Sequence, residues 1–106
     1  MNTPILEVVQ SSAQQLAHLC EQSQVARLEL FGSANTDRFD PARSDLDFLV
    51  EFSDNSPKGA SARFFALRQG LESLFGREVD LVDVQTIQNP YFLEAIAPTR
   101  RVVYGD

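Results

Sequence analysis

Residues 30–52, LFGSANTDRFDPARSDLDFLVEF, decide the fold because two apolar segments flank a polar loop in this stretch. The pattern predicts one strand over 25–31, a turn at Gly32 and Ser33, and a second strand over 46–52. The connection between the two strands is too short for a helical crossover. We therefore expect the two strands to be antiparallel neighbours in one sheet.

The second strand opens with two carboxylates, Asp45 and Asp47, which are two residues apart. Side chains at positions i and i+2 of a strand point to the same face of the sheet, so these two carboxylates are close enough to share a cation. The alternate positions are apolar and should face a core. They are Leu46, Phe48, Val50 and Phe52.

The rest of the chain alternates between helical and extended patterns. A first helix runs to about Glu21 with a possible break near Ser11, and a second covers 61–75 and ends at Gly76. Further elements are a strand over 78–84, a short helix over 91–97 and an edge strand over 101–104. We expect an α/β (α+β) fold, a small mixed β-sheet with helices packed on it.

Composition limits the class of protein. The chain has 106 residues, which fits a single domain over 1–106, and 43% of them are hydrophobic. A net charge of −6 disfavours direct binding to nucleic acid. A single cysteine, Cys20, the lack of a signal-like start and the lack of a long apolar segment predict a cytoplasmic protein without a membrane anchor.

A third carboxylate comes from the strand over 78–84. Asp80 shares a strand face with Val82, and Asp83 shares the opposite face with Leu81. Two aspartates on one strand and a third on a neighbouring strand suit a pair of Mg²⁺ ions about 3.5–4 Å apart, which would bind a triphosphate. Taken alone, the Asp-x-Asp pair is better explained as an acidic edge that discourages aggregation between sheets.

The Gly32–Ser33 turn shifts the balance towards a ligand site. Glycine lets the backbone approach a ligand closely, and successive backbone N–H groups can form an anion site. With Ser44 directly before Asp45, the combination favours a nucleotide site over an acidic edge.

The combination of motifs resembles a known family. LFGS, SDLDFLVEF and the later EVDLVDV are similar to the DNA polymerase beta-like nucleotidyltransferase superfamily. The small size and the closing sequence NPYFLEAIAPTRRVVYGD resemble its minimal nucleotidyltransferase (MNT) branch, the antitoxins of HEPN/MNT toxin–antitoxin systems. The resemblance covers almost the whole chain, from the first strand to the C-terminus.

The resemblance implies a role for each matching residue. Gly32 and Ser33, with Ser44, would bind the nucleotide. Asp45 and Asp47 would bind both metal ions.

The third carboxylate is assigned in the same way. Asp80 would complete the metal site and help to activate the acceptor hydroxyl. Asp83 is the rival, and Asp80 is preferred because family members carry this acid before an apolar pair.

The sequence departs from the branch in the loop after the turn. Thr36 and Asp37 stand where members usually have an Arg-Gly pair, which would weaken the grip on phosphate. Arg38, Arg43 and Lys58 are candidates for the missing positive charge, although each is as readily explained as a solvated loop cation.

The resemblance also implies a function. MNT proteins are antitoxins that transfer AMP from ATP to a tyrosine of a HEPN toxin and silence its ribonuclease activity. We therefore expect a Mg²⁺-dependent protein adenylyltransferase in a hetero-oligomer with a HEPN partner. One alternative is an antitoxin that neutralises its partner by binding, with little or no catalysis. The other is an antibiotic nucleotidyltransferase, which we expect less because this sequence offers no domain to hold the antibiotic.

Overall fold

The computed structural model describes residues 5–32, 45–54 and 56–105. It places helices and strands in the predicted order, with two short 3-10 turns at Val84–Thr86 and Ala97–Thr99. The helices are α1 (Ile5–Ser11), α2 (Ala13–Gln22), α3 (Ala60–Phe75) and α4 (Phe92–Ile96). The strands are β1 (Val25–Phe31), β2 (Leu46–Phe52), β3 (Val79–Asp83) and β4 (Arg101–Gly105).

The predicted break in the first helix is confirmed at Ser12, which separates α1 from α2. The hydroxyls of Ser11 and Ser12 both donate to the carbonyl oxygen of Val8, at 2.9 and 3.2 Å. Serine side chains that bond to nearby backbone carbonyls compete with regular helix geometry. The break is therefore a local effect of the two adjacent serines.

The four strands form one mixed sheet in the order β3-β2-β1-β4. The central strand β1 pairs antiparallel with both β2 and β4, as the short β1–β2 connection predicted for the first pair. Strands β2 and β3 are parallel, with α3 between them in the chain. The α/β fold with a small mixed sheet is thus confirmed.

One face of the sheet carries the hydrophobic core, beneath α2 and α3. Phe48 of β2 stacks on Phe75 of α3, with ring centroids 6.0 Å apart and an angle of 22° between the rings. The four apolar β2 positions predicted for the core all lie in it. The buried core residues are Val9, Leu16, Cys20, Val25, Leu28, Leu30, Leu46, Phe48, Val50, Phe52, Leu67, Leu71, Val79 and Leu81.

Cys20 is a core residue, as its place on the apolar side of the helix predicted. Burial, with a smaller contribution from the charge of Glu21, raises the pKa of the Cys20 thiol to about 12. A thiol with so high a pKa carries almost no nucleophilic thiolate at neutral pH.

Among the described residues, no helix has the length and apolar character needed to cross a membrane.

The opposite face of the sheet is partly polar. Glu29 of β1 is only 5% exposed, and its carboxylate accepts two hydrogen bonds from Arg100, at 3.2 and 2.7 Å. Arg27 lies on its other side, with Nε 3.8 Å from the same carboxylate. A buried carboxylate needs such partners to offset its lost hydration. Farther along β1, the rings of Phe31 and of Phe92 in α4 pack edge to face, with their centroids 5.8 Å apart.

The core predicts a strong contrast between two phenylalanines. Phe48→Ala should lower the free energy of unfolding by about 3–5 kcal/mol, because it removes a fully buried ring and leaves a cavity under α3. Phe65→Ala in α3, where Phe65 is 59% exposed, should cost less than about 1 kcal/mol. Urea denaturation of both variants measures the difference, and equal losses would contradict the assigned core.

Candidate active site

The parallel pairing of β2 and β3 places two of the predicted acids side by side. Asp47 lies opposite Asp80 in the register of the two strands, near the start of each strand. Asp47 is half-buried and Asp80 is exposed. Paired positions on adjacent strands lie about 5 Å apart, so the two carboxylates feel each other's charge.

The charges of both other predicted acids act on Asp47. Burial, followed by the charges of Asp80 and Asp45, raises the pKa of Asp47 to about 6. Asp45 itself is exposed, directly before β2. A carboxylate destabilised by burial and by like charges is a group that gains when a cation arrives.

Gly32 closes the site from the other side of Asp47. The last residue of β1, Phe31, pairs with Asp47, and the following glycine has a left-handed backbone with φ of 77°. A Cβ atom built on Gly32 would lie only 2.6 Å from Oδ2 of Asp47. A side chain at residue 32 would therefore strain the backbone and force the Asp47 carboxylate to move.

The amide of Gly32 is already hydrogen-bonded within the protein. Its N–H donates to Oγ1 of Thr99 at 2.9 Å. The Gly32 N–H therefore helps to hold the turn in place. The predicted role of Gly32 in nucleotide binding rests on its lack of a side chain and on its left-handed backbone. Sequence reasoning did not single out Thr99, and the only signal for it was its position two residues before the predicted edge strand.

The rival acid, Asp83, lies farther along β3 and caps a turn. It lies at the end of β3 opposite Val50, three pairs along the ladder from Asp47. Its carboxylate accepts the N–H of Gln85 at 3.0 Å and caps the following 3-10 turn. This local bond explains why the helical turn begins at Val84, where the sequence predicted the strand to continue.

Several predicted residues lie elsewhere or outside the described ranges. Lys58 is exposed in the turn before α3, on the C-terminal side of β2, whereas Asp47 lies near the N-terminal end of that strand. The remaining loop residues of the sequence prediction lie outside the described residues. They are Ser33, Thr36, Asp37, Arg38, Arg43 and Ser44.

The carboxylate oxygens of these acids are the type of ligand that a hard divalent cation such as Mg²⁺ prefers. Over residues 5–32, 45–54 and 56–105, no three His, Cys, Asp or Glu side chains are placed so that they could hold a metal ion by themselves. Mg²⁺ commonly takes only one or two protein carboxylates and completes its shell with water and phosphate oxygens. Asp47, destabilised by its acidic neighbours and facing Asp80, supplies such ligands for a cation that arrives with a nucleotide.

The raised pKa of Asp47 predicts a pH-dependent stability. The folded pKa, about 6, exceeds the reference of 3.8, so ionisation of Asp47 weakens the fold as the pH rises from about 4 to 6. Without metal, Asp47→Asn should stabilise the protein at pH 7.5 by on the order of 1 kcal/mol, discounted for solvent screening. This gain should vanish near pH 4. Urea denaturation in EDTA across this pH range measures it.

Asp54→Asn is the control, because the Ser56 N–H and then the Arg63 guanidinium hold the pKa of Asp54 below its usual value. This variant should lose stability at pH 7.5 and approach the unsubstituted protein in acid. If Asp47→Asn were less stable than the unsubstituted protein at pH 7.5, the electrostatic account of the site would be wrong.

Gly32 predicts a second contrast. Gly32→Ala combines a left-handed backbone, which costs about 1–2 kcal/mol, with a clash against the Asp47 carboxylate. Gly76→Ala has the same backbone cost at φ of 67°, and nothing lies within 4 Å of its new Cβ. Gly32→Ala should therefore be the more destabilising of the two, because the Asp47 carboxylate must move away from the new Cβ atom. Equal thermal and urea stabilities of the two variants would contradict the close approach of Gly32 to Asp47.

Comparison with known proteins identifies the family of this chain. Residues 13–103 match the model of the nucleotidyltransferase domain family. A protein of Methanocaldococcus jannaschii, whose name proposes protein adenylyltransferase activity, is 34% identical over 79 residues. That alignment covers 74% of this chain and 76% of the relative.

Solved structures share the fold. One described as a proposed minimal nucleotidyltransferase is 28% identical with a TM-score of 0.68, covering 91% of this chain and 93% of the other. A toxin–antitoxin complex with AMP-PNP has the same TM-score at 21% identity, covering 89% and 73%. A tri-AMPylated Shewanella oneidensis HEPN toxin with its MNT antitoxin gives 0.64 at 21% identity, covering 92% and 73%. The chain belongs to the nucleotidyltransferase domain family.

Proposed function

We propose that this protein is a cytoplasmic, Mg²⁺-dependent adenylyltransferase that transfers AMP from ATP to a tyrosine of a HEPN toxin and thereby acts as its antitoxin. The observation that carries the proposal is the placement of Asp47, which lies between the Gly32 backbone and Asp80. This placement brings a glycine turn and paired carboxylates to one end of the sheet.

The proposed site binds the nucleotide by charge and by shape. Asp45, Asp47 and Asp80 would hold Mg²⁺, which when bound supplies positive charge against the triphosphate and the departing pyrophosphate. The turn at Gly32 lets the triphosphate come close to the backbone beside these acids. Ser33 and Ser44 are proposed as further nucleotide contacts, since they flank Gly32 and Asp45 in the sequence.

Asp80 is the proposed base. The oxygen of the acceptor hydroxyl forms a bond to the α-phosphorus, the bond from that phosphorus to the β-phosphate oxygen breaks, and pyrophosphate leaves. The proton of the hydroxyl passes to the carboxylate of Asp80. Asp80 is exposed on β3, an edge strand of the described sheet, so a large acceptor has access to it.

The choice of a protein acceptor draws on the relatives. The Methanocaldococcus jannaschii relative is named for an activity on proteins, and a structural neighbour is a complex that contains an AMPylated HEPN toxin. The exposed carboxylate at a sheet edge supports the same choice, because it suits an acceptor presented on the surface of a partner.

A second candidate function is neutralisation by binding, with little or no catalysis. Two observations favour it. No ready three-ligand metal group stands among the described residues, and the loop carries Thr36 and Asp37 where the family resemblance expects an Arg-Gly pair. A phosphate grip weakened in this way would still leave a surface for the partner.

The decisive experiment co-expresses the chain with its HEPN partner and measures the intact mass of the partner. The Asp45→Asn/Asp47→Asn double variant should reduce AMP transfer by at least ~100-fold, because it removes the proposed cation ligands. The Asp54→Asn/Asp83→Asn double variant is the matched control. It removes the same charge from residues at the other end of β2 and β3, and it should retain AMP transfer.

The outcomes separate the two functions. The adenylyltransferase proposal requires that toxin neutralisation is lost together with AMP transfer in the Asp45→Asn/Asp47→Asn variant. If that variant neutralises the toxin at full strength, and the unsubstituted protein adds no nucleotide mass, the chain acts by binding alone.

A further inference from the structure

The segment after α4 is attached to the end of β1 at three consecutive residues. Thr99 accepts the N–H of Gly32, and Arg100 donates two hydrogen bonds to the buried carboxylate of Glu29. Arg101 then begins the ladder that pairs β4 with β1. This segment is thus fixed to the strand that delivers the glycine turn.

The Thr99 hydroxyl has a defined direction in this arrangement. Oγ1 donates its hydrogen to the carbonyl oxygen of Ile96 at 2.9 Å, which leaves its lone pairs to accept the Gly32 N–H. Both groups are partly buried. Pro98 restricts the backbone of the same 3-10 turn. The carbonyl oxygen of Ile96, at the end of α4, therefore orients the hydroxyl towards Gly32.

We infer that Thr99 is a positioning residue of the nucleotide site, an inference that rests on the proposed function. By accepting the Gly32 amide, Thr99 fixes the orientation of the peptide plane at the start of the turn. The same glycine packs against Oδ2 of Asp47, so its orientation also limits where that carboxylate can lie. In this role Thr99 acts on the site through Gly32.

The inference requires a hydroxyl at residue 99. Valine has the shape of threonine without the hydroxyl, so Thr99→Val would leave the partly buried Gly32 N–H without this acceptor. The amide would then gain by turning towards solvent, and the turn would lose its fixed direction. Serine keeps the hydroxyl and loses only a methyl group, so Thr99→Ser should preserve the contact.

The test measures binding of Mg²⁺ with the non-hydrolysable ATP analogue AMP-PNP by calorimetry. Thr99→Val should raise the Kd about tenfold, as expected for the loss of one oriented hydrogen bond. Thr99→Ser should stay within about threefold of the unsubstituted protein. The control is Thr86→Val, which removes an exposed hydroxyl bonded to the Asp83 carbonyl at the far end of β3. It should leave the Kd unchanged.

A second readout needs no nucleotide. Hydrogen exchange of the Gly32 amide, followed by NMR, should accelerate in Thr99→Val and remain slow in Thr99→Ser and Thr86→Val. In steady-state assays with the partner, Thr99→Val should raise the KM for ATP more than it lowers kcat, since the proposed role of Thr99 is to orient the binding turn.

Two results would overturn the inference, and they are distinguishable. If the unsubstituted protein binds AMP-PNP and Thr99→Val binds it equally well while folded, Thr99 has no positioning role and the proposed function stands. If the unsubstituted protein does not bind AMP-PNP with Mg²⁺ at all, the proposed function fails and the inference fails with it. A Thr99→Ser variant as weak as Thr99→Val would also contradict the hydroxyl contact.

Discussion

The position of β2 between two different neighbours is the constraint on which the site depends. Its antiparallel partner β1 ends beside Asp47 and presents the backbone of Gly32. Its parallel partner β3 presents Asp80 to the same residue. Burial is therefore the main cost of the charge on Asp47, and the charge of Asp80 adds to it. On its other side, Asp47 lies close to the backbone of Gly32. The apolar residues of β2 lie in the core and hold the strand in place despite this cost.

Local patterns in the sequence were sufficient for much of this architecture. The bounds of β1 and β2 agree with the prediction because alternating apolar residues have only one register that buries them. The short β1–β2 connection fixed the antiparallel pairing, and the helix after β2 allowed the parallel one. The same alternation put Asp80 on the face away from Val79 and Leu81, which are in the core.

Other features depend on contacts that no local pattern encodes. The hydrogen bond between Gly32 and Thr99 joins residues 67 positions apart, and nothing in the local sequence around either residue predicts the pairing. The sequence offers Asp80 and Asp83 at similar positions, whereas the structure pairs Asp80 with Asp47 and gives the Asp83 carboxylate a hydrogen bond to the N–H of Gln85. The assignments of Ser33 and Ser44 concern residues outside the described part of the chain and stay predictions.

The attachment of β4 to β1 has a consequence for the order of events during translation. Thr99 follows Gly32 by 67 positions in the chain, and the pairing residues Arg101–Gly105 come after it, so both leave the ribosome later than β1. Until then the nascent β1 has an open edge and Glu29 lacks Arg100. A nascent chain therefore lacks the acceptor that fixes the Gly32 amide until this segment has been translated.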